Sequence, residues 1–169
     1  EVIEAHHLFG VSGRQISVVI HPQSTIHSMI EFIDGTILAQ MSITDMRSAI
    51  LYALSYPERW ESSLPRLDLF AANSLEFFPP DTERFPCLRL AYQALENGGT
   101  YPTVLNAANE VAVQCFLNGS IPFTSIPEII EETLNLHRPV VAKDLETALK
   151  IDRQARYMAQ KTIKDRTIL

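Results

Sequence analysis

Residues 21–41 read HPQSTIHSMIEFIDGTILAQM, and the reading of this stretch decides the fold. Asp34-Gly35 is a two-residue turn signal whose backbone twist matches paired strands. With that turn at the tip, Ile33 opposes Thr36, Phe32 opposes Ile37, Ile30 opposes Ala39 and Ser28 opposes Met41. Opposed residues share a face of a hairpin. One face is then Phe32, Ile37, Ile30, Ala39 and Met41, nearly all apolar. The other carries Glu31, Leu38, Met29, Gln40 and His27. The oily face calls for helices, and the mixed face suits a site or a partner. His27 stands on the mixed face. It reads either as a hydrogen-bonded, half-buried histidine or as a group beside a substrate or cofactor, because imidazole titrates near neutral pH.

Upstream, residues 15–21 (QISVVIH) read as a third strand, with Ile16, Val18 and Ile20 pointing one way. Pro22 then breaks the ladder. The opening run EVIEAHHLF, residues 1–9, reads as a helix stopped by Gly10 and Gly13. Glu1 and Glu4 lie on one side of it. Acidic side chains are mostly solvated, so a plain helix surface is one reading. The other is a carboxylate metal ligand, with His7 completing a Glu-x-x-His pair.

Downstream, Thr44 or Asp45 caps a helix over DMRSAILYALSY. Its apolar stripe is Met46, Ala49, Ile50, Ala53 and Leu54, expected to cover the oily sheet face. Residues 57–74 form a long connection anchored by Trp60. Leu75 to Phe78 reads as a short edge strand closed by Pro79-Pro80. Helices follow. One starts at Phe85-Pro86 and stops at Gly98-Gly99, and one starts at Pro102 with Val104, Leu105, Ala108, Val111, Ala112, Cys115 and Phe116 inward. In the second, the amides of Asn106 and Asn109 are expected to bond to neighbouring backbone. A third is capped in the box pattern Ser125-x-x-Glu128, and a fourth is capped by Asp144. In the fourth, Leu145, Ala148, Leu149, Ala155, Met158, Ala159 and Ile163 line one side, and residues 164–169 are expected to fray. Short loops between these helices imply a small antiparallel bundle. The fold class is α+β: a hairpin-centred antiparallel sheet covered by helices, followed by the bundle.

With 169 residues the chain can hold one domain or two small ones. Its 46% apolar and 20% charged content excludes a disordered chain. The net charge is −6 with no basic cluster, which argues against nucleic acid as a partner. No apolar run approaches the roughly 20 residues of a membrane span. Cys87 and Cys115 fall in predicted helices, so a reducing setting fits better than a disulfide framework. The chain opens on Glu1 with no leader pattern and reads as a trimmed piece of something longer. It has no glycine-rich phosphate loop, Cys-x-x-Cys, Gly-x-Ser-x-Gly or His-Glu-x-x-His motif.

Four runs carry a more specific signal: EVIEAHHLF at 1–9, HPQSTIHSMIEFIDGTILAQMSITDMR at 21–47, FPCLRLA at 85–91 and LNAANEVAV at 105–113. Through them the chain closely resembles the C-terminal part of the 1-deoxy-D-xylulose 5-phosphate reductoisomerase family, nearly without gaps. The resemblance implies conversion of 1-deoxy-D-xylulose 5-phosphate to 2-C-methyl-D-erythritol 4-phosphate in the non-mevalonate isoprenoid pathway. It implies NADPH as reductant, Mg²⁺ or Mn²⁺ as cofactor, and a homodimer whose hairpin sheet forms part of the seam. The setting would be the bacterial cytoplasm or the plastid stroma. Domains follow by the same likeness: 1–56 as the end of the catalytic and dimerisation domain, 57–81 as linker, and 82–169 as the C-terminal helical domain.

Glu1 aligns with the last of three carboxylate metal ligands and so lies at the substrate. His27 matches the second histidine of the family's HPQSxxH run, near the substrate, in a supporting catalytic role. Met46 sits where the family places an apolar contact to the nicotinamide side of the cofactor. His6 and His7 fall at variable family positions, which weakens the Glu-x-x-His pairing. The family's other two carboxylates, its phosphate-gripping residues and its NADPH domain have no counterpart in these 169 residues. The fragment alone is therefore expected to be inactive, because one carboxylate cannot hold a divalent ion. The competing reading is a non-catalytic module that dimerises and binds no metal.

Overall fold

The structure, a computed structural model, describes residues 1–72 and 74–167. It is α+β, with one antiparallel hairpin and a set of helices. The chain divides into two compact units, one made of residues 1–17 and 81–169 and the other of residues 18–80.

The first unit is helical. Helix α1 (Val2–Phe9) ends at Gly10, whose left-handed backbone, φ 65°, lets its N–H reach the carbonyl of His6. A 3₁₀ turn at Gly13–Gln15 follows, where the sequence reading placed the start of a strand. Ile16 instead offers its carbonyl to the Tyr92 hydroxyl at 3.0 Å. Further on come helices Cys87–Asn97, Tyr101–Leu117, Ser125–Leu136 and Leu145–Thr167. To keep chain-order labels they are α4, α5, α6 and α7, with α2 and α3 belonging to the second unit.

Helix α5 is the centre of this unit. It packs on α4, α6 and α7, and α1 packs on α4. Val104, Ala107, Ala108 and Ala112 on α5 meet Ile129 and Ile130 of α6 and Ala155 and Ala159 of α7 in one core. The alanines are fully buried. Their small size lets the helices approach closely, and the larger Leu90, Ile129 and Ile130 fill the gaps. The Asn106 amide bonds not to backbone but to the Glu110 carboxylate at 3.0 Å, one turn on.

Two caps differ from expectation. Ser125 lies inside α6, whose N-cap is Thr124, and neither makes the capping-box bond. Glu128 instead pairs with Arg166 of α7. Asp144 does cap α7, accepting the Thr147 N–H at 2.7 Å. Leu145 and Leu149 are exposed, so the buried stripe of α7 begins at Ile151. Lys164 to Thr167 continue the helix rather than fray, and residues 168–169, where fraying is also expected, lie outside the described residues.

The second unit holds the hairpin of β1 (Ile26–Glu31) and β2 (Ile37–Met41). Its register differs by one residue from the sequence expectation. Ile30 opposes Leu38, Met29 opposes Ala39 and Ser28 opposes Gln40. The tip is a three-residue loop, Ile33-Asp34-Gly35, closed by Phe32 N–H to Thr36 O at 2.8 Å. Gly35 is left-handed at φ 81°, and the Asp34 carboxylate accepts the Thr36 N–H at 2.9 Å. A three-residue loop with glycine at that position is the next most common hairpin after the two-residue one.

A one-residue slip moves every β2 side chain to the opposite face. Leu38 therefore joins Ile30 and Phe32, while Ala39 and Ile37 join Met29 and Glu31. Both faces are mixed.

Helix α2 (Met46–Ser55) starts as expected, with Asp45 accepting the Arg47 N–H. Its inward face is not the expected one. Met46, Ile50 and Leu54 are exposed, and Ser48, Leu51, Tyr52 and Ser55 are the more buried positions. They face the chain after Pro57. Ser55 Oγ donates to the Glu58 carbonyl at 2.8 Å, and the Arg59 guanidinium lies 4.1 Å from the centre of the Tyr52 ring. Trp60, expected as the anchor of this connection, is exposed, and its indole N–H donates to the Glu58 carboxylate at 3.4 Å. A short helix α3 (Leu69–Ala72) follows. The expected strands at 15–21 and 75–78 reduce to a single bridge, Ile20 with Phe78. Pro22 and Pro79 lie two and one residues from that bridge and cannot donate to a longer ladder.

Candidate functional site

The family-like run HPQSTIH, residues 21–27, packs along residues 41–46. Three bonds hold the two together. Ser42 N–H donates to Thr25 O at 3.1 Å, Thr44 Oγ1 donates to Ser24 O at 2.9 Å, and His27 Nε2 lies 3.2 Å from Ser42 O. His27 sits at a bulge, since β1 advances two residues from Ile26 to Ser28 while β2 moves only from Met41 to Gln40. Bulges re-aim a side chain. Because a carbonyl can only accept, the bonded Nε2 carries the proton and Nδ1 of the neutral ring keeps its lone pair. His27 is exposed rather than half-buried.

The first half of the run grips residues 76–78. His21 Nδ1 donates to the Glu76 carbonyl at 2.9 Å, and its ring stacks on Phe77 at 4.9 Å. The Gln23 amide donates to Glu76 Oε2 at 2.6 Å and accepts the Glu76 N–H at 3.2 Å. Sequence reasoning had no role for Glu76, 53 residues away, because nothing local marks that pairing.

Met46 is the first residue of α2 and is exposed. Just before it, Asp45 receives the Arg47 side chain through both carboxylate oxygens. The Arg47 guanidinium bonded to it brings the Asp45 carboxyl down to about 2. Glu1 belongs to the other unit, as the N-cap residue of α1, with no side-chain cap bond and an exposed carboxylate. His27 and Met46 thus share one unit, and Glu1 lies in the other.

Among the described residues, no three His, Cys, Asp or Glu side chains converge to hold a metal ion. A divalent cation takes several oxygen ligands. Cys87 and Cys115 are free thiols, and burial pushes that of Cys87 up. No described helix is long and apolar enough to cross a membrane.

Residues 41–158 match the family model described as the DXP reductoisomerase C-terminal domain. The chain is 54% identical over 159 residues to the 1-deoxy-D-xylulose 5-phosphate reductoisomerase of Prosthecochloris aestuarii, covering 94% of this chain and 42% of that protein. It is 57% identical over 160 residues to the enzyme of the same name from Nitrosomonas europaea, covering 95% and 39%. Among solved structures, the reductoisomerase of Zymomonas mobilis in complex with NADPH superposes with a TM-score of 0.91 at 42% identity, over 96% of this chain and 43% of that one. A DOX-P reductoisomerase in complex with magnesium gives 0.86 at 40% identity, over 96% and 43%. The chain spans about two fifths of the length of the curated relatives it matches. By its sequence over residues 41–158 and by its fold, this chain belongs to the DXP reductoisomerase C-terminal domain family.

Proposed function

We propose that this chain is the C-terminal portion of an NADPH- and divalent-metal-dependent reductoisomerase. The substrate is 1-deoxy-D-xylulose 5-phosphate and the product 2-C-methyl-D-erythritol 4-phosphate, in non-mevalonate isoprenoid synthesis. The observation that carries the reading is identity above one half, sustained over 94% of the chain, to proteins of that name. Likeness to a structure holding NADPH supports the reductant, and likeness to one holding magnesium supports the metal.

In this reading residues 1–56 end the catalytic and dimerisation domain, 57–81 link, and 82–169 form the C-terminal helical domain. The setting is the bacterial cytoplasm or a plastid stroma. When bound, Mg²⁺ or Mn²⁺ polarises the carbonyl and hydroxyl of the sugar phosphate. Glu1 supplies one carboxylate ligand to that ion, and its other ligands come from residues outside these 169. Its exposed side chain at the start of α1 leaves the oxygens free for this.

His27 stands beside the substrate in a supporting role. Its bond to the Ser42 carbonyl fixes the tautomer and holds the ring for a donor on the ligand. Met46, exposed at the head of α2, supplies an apolar contact to the nicotinamide side of the cofactor. The hairpin forms the seam of a homodimer, supported by exposed Ile30, Phe32, Ile37 and Leu38.

The same exposed hairpin also favours a second reading, a non-catalytic dimerising module. Joining an N-terminal reductoisomerase portion that carries the missing carboxylates and assaying NADPH oxidation with the sugar phosphate separates the two. Turnover supports the enzyme, and its absence in the complete folded protein sinks it.

A further inference from the structure

One groove takes no part in the reading above. It lies on the helical unit, between the residues that end α6 and the middle of α7. Its cavity measures about 490 Å³, within the usual range for small-molecule sites. Arg138, just past α6, and Lys150, Arg153 and Tyr157 of α7 line it, together with the apolar side chains of exposed Leu136 and buried Ile151. No Asp or Glu lines it. That runs against the whole chain, which has 20 acidic side chains to 14 basic ones.

The paired arginines of the same unit sharpen the contrast. Arg89 pairs with Glu131, Arg156 with Glu110 and Asp152, and Arg166 with Glu128 and Glu132. Among the described residues, Arg138, Lys150 and Arg153 form no ion pair. Lys150 and Arg153 are three apart on α7, and Tyr157 is four further on, so all three share one side of the helix. Like charges gathered in a concavity repel one another, and the field they make draws in an anion.

The segment that carries Arg138 is fixed in place. The preceding residue, His137, is buried and bonded to the Thr100 hydroxyl at 2.8 Å. Two arginine forks and a lysine match phosphate oxygens. Tyr157 is 69% exposed, and an open phenol ring offers a stacking face to a planar base. The volume is far larger than a bare phosphate needs.

We propose that this groove is a nucleotide site. Arg138, Lys150 and Arg153 hold the phosphates, and Tyr157 stacks on the base. Leu136 and Ile151 lie under the body of the ligand. The site shares no residue with the reductoisomerase reading and stands whether or not that reading does.

The test is isothermal titration of the 169-residue chain at low salt with ADP, adenosine and inorganic phosphate as separate probes. ADP is expected to bind more tightly than either other probe. Lys150→Gln with Arg153→Gln should weaken ADP at least about tenfold, as expected for charge-assisted bonds lost. Tyr157→Ala should bring ADP down to the level of phosphate. Lys161→Gln with Lys164→Gln, further along the exposed side of α7, should change nothing. Circular dichroism checks that each variant keeps its helices. No ADP binding, equal binding of phosphate and ADP, or an ADP affinity untouched by the Lys150/Arg153 pair of substitutions overturns the proposal.

Discussion

His137 Nε2 lies 2.8 Å from Thr100 Oγ1, and both side chains are buried. The same hydroxyl accepts the Val140 N–H at 3.2 Å. That leaves the hydroxyl its own proton, which it can donate to the imidazole when Nε2 is unprotonated. Burial lowers its pKa below the usual 6.5. The unfolded chain then binds a proton that the folded chain refuses, so this histidine favours folding above pH ~6.5 and that share is lost as pH falls toward the folded value. The urea midpoint of the native chain should drop as pH falls below about 6.5. His137→Gln, which cannot titrate, should flatten that slope while lowering stability by about 1–3 kcal/mol at pH 8. An unchanged slope in the variant would remove His137 as its cause.

Gly99 and Gly119 offer a second comparison. Both have positive φ, 54° and 72°, which costs an alanine about 1–2 kcal/mol. At Gly99 a new Cβ would also lie 3.0 Å from the Val140 carbonyl oxygen, whereas at Gly119 nothing lies within 4 Å. Gly99→Ala should lower the melting temperature clearly more than Gly119→Ala. Equal losses in calorimetry would show that the Val140 segment yields without cost.

The bundle core gives a third. Leu90 is 1% exposed and packed in the cluster around α5, whereas Leu145 is exposed. Leu90→Ala should cost about 2–5 kcal/mol through lost burial and a residual cavity. Leu145→Ala should stay within about 0.5 kcal/mol. Chemical denaturation followed by circular dichroism measures both.

Dimerisation through the hairpin gives a fourth. Ile30 and Leu38 are direct partners on one face, and both are more than half exposed. Ile30→Glu with Leu38→Glu would set like charges opposite each other and desolvate them in any apolar seam. Sedimentation should show the double variant as a monomer under conditions where the parent chain is a dimer. A parent chain that is monomeric throughout would remove the seam.

The proposed metal role of Glu1 gives the last. In the complete protein, Glu1→Gln should raise the Mn²⁺ needed for half-maximal turnover. The increase should exceed the roughly 10–100-fold that follows from losing a residue which merely orients a ligand. The Tyr92 bond to Ile16, on the helical unit that carries Glu1, should persist, so the melting temperature should hold. Metal dependence equal to that of the parent would exclude Glu1 as a ligand.

Much of the helical unit was legible from periodicity. Val104, Ala108, Val111 and Ala112 repeat at helical spacing and are buried where that spacing puts them. Ile129, Ile130, Thr133 and Leu134 do the same on α6. Such stripes carry their own partner requirement, and neighbours joined by short loops satisfy it. The family likeness was legible too, because runs such as HPQSTIHSM and LNAANEVAV are long and specific. In the hairpin unit the residues alone identified the two hairpin strands and narrowed the cap of α2 to Thr44 or Asp45, while the strands expected at 15–21 and 75–78 came down to one bridge. Register and facing were a different matter. Asp-Gly serves two-residue and three-residue turns alike, and the bond from Thr36 N–H to Asp34, with Gly35 left-handed, selected the longer one. The inward face of α2 followed from Arg59 over Tyr52 and Ser55 on Glu58, contacts made by chain beyond the helix. Patterning specifies which side chains must leave water. Which partner they meet depends on chain brought from elsewhere, and for His21 and Gln23 that partner is Glu76, which only folding brings alongside.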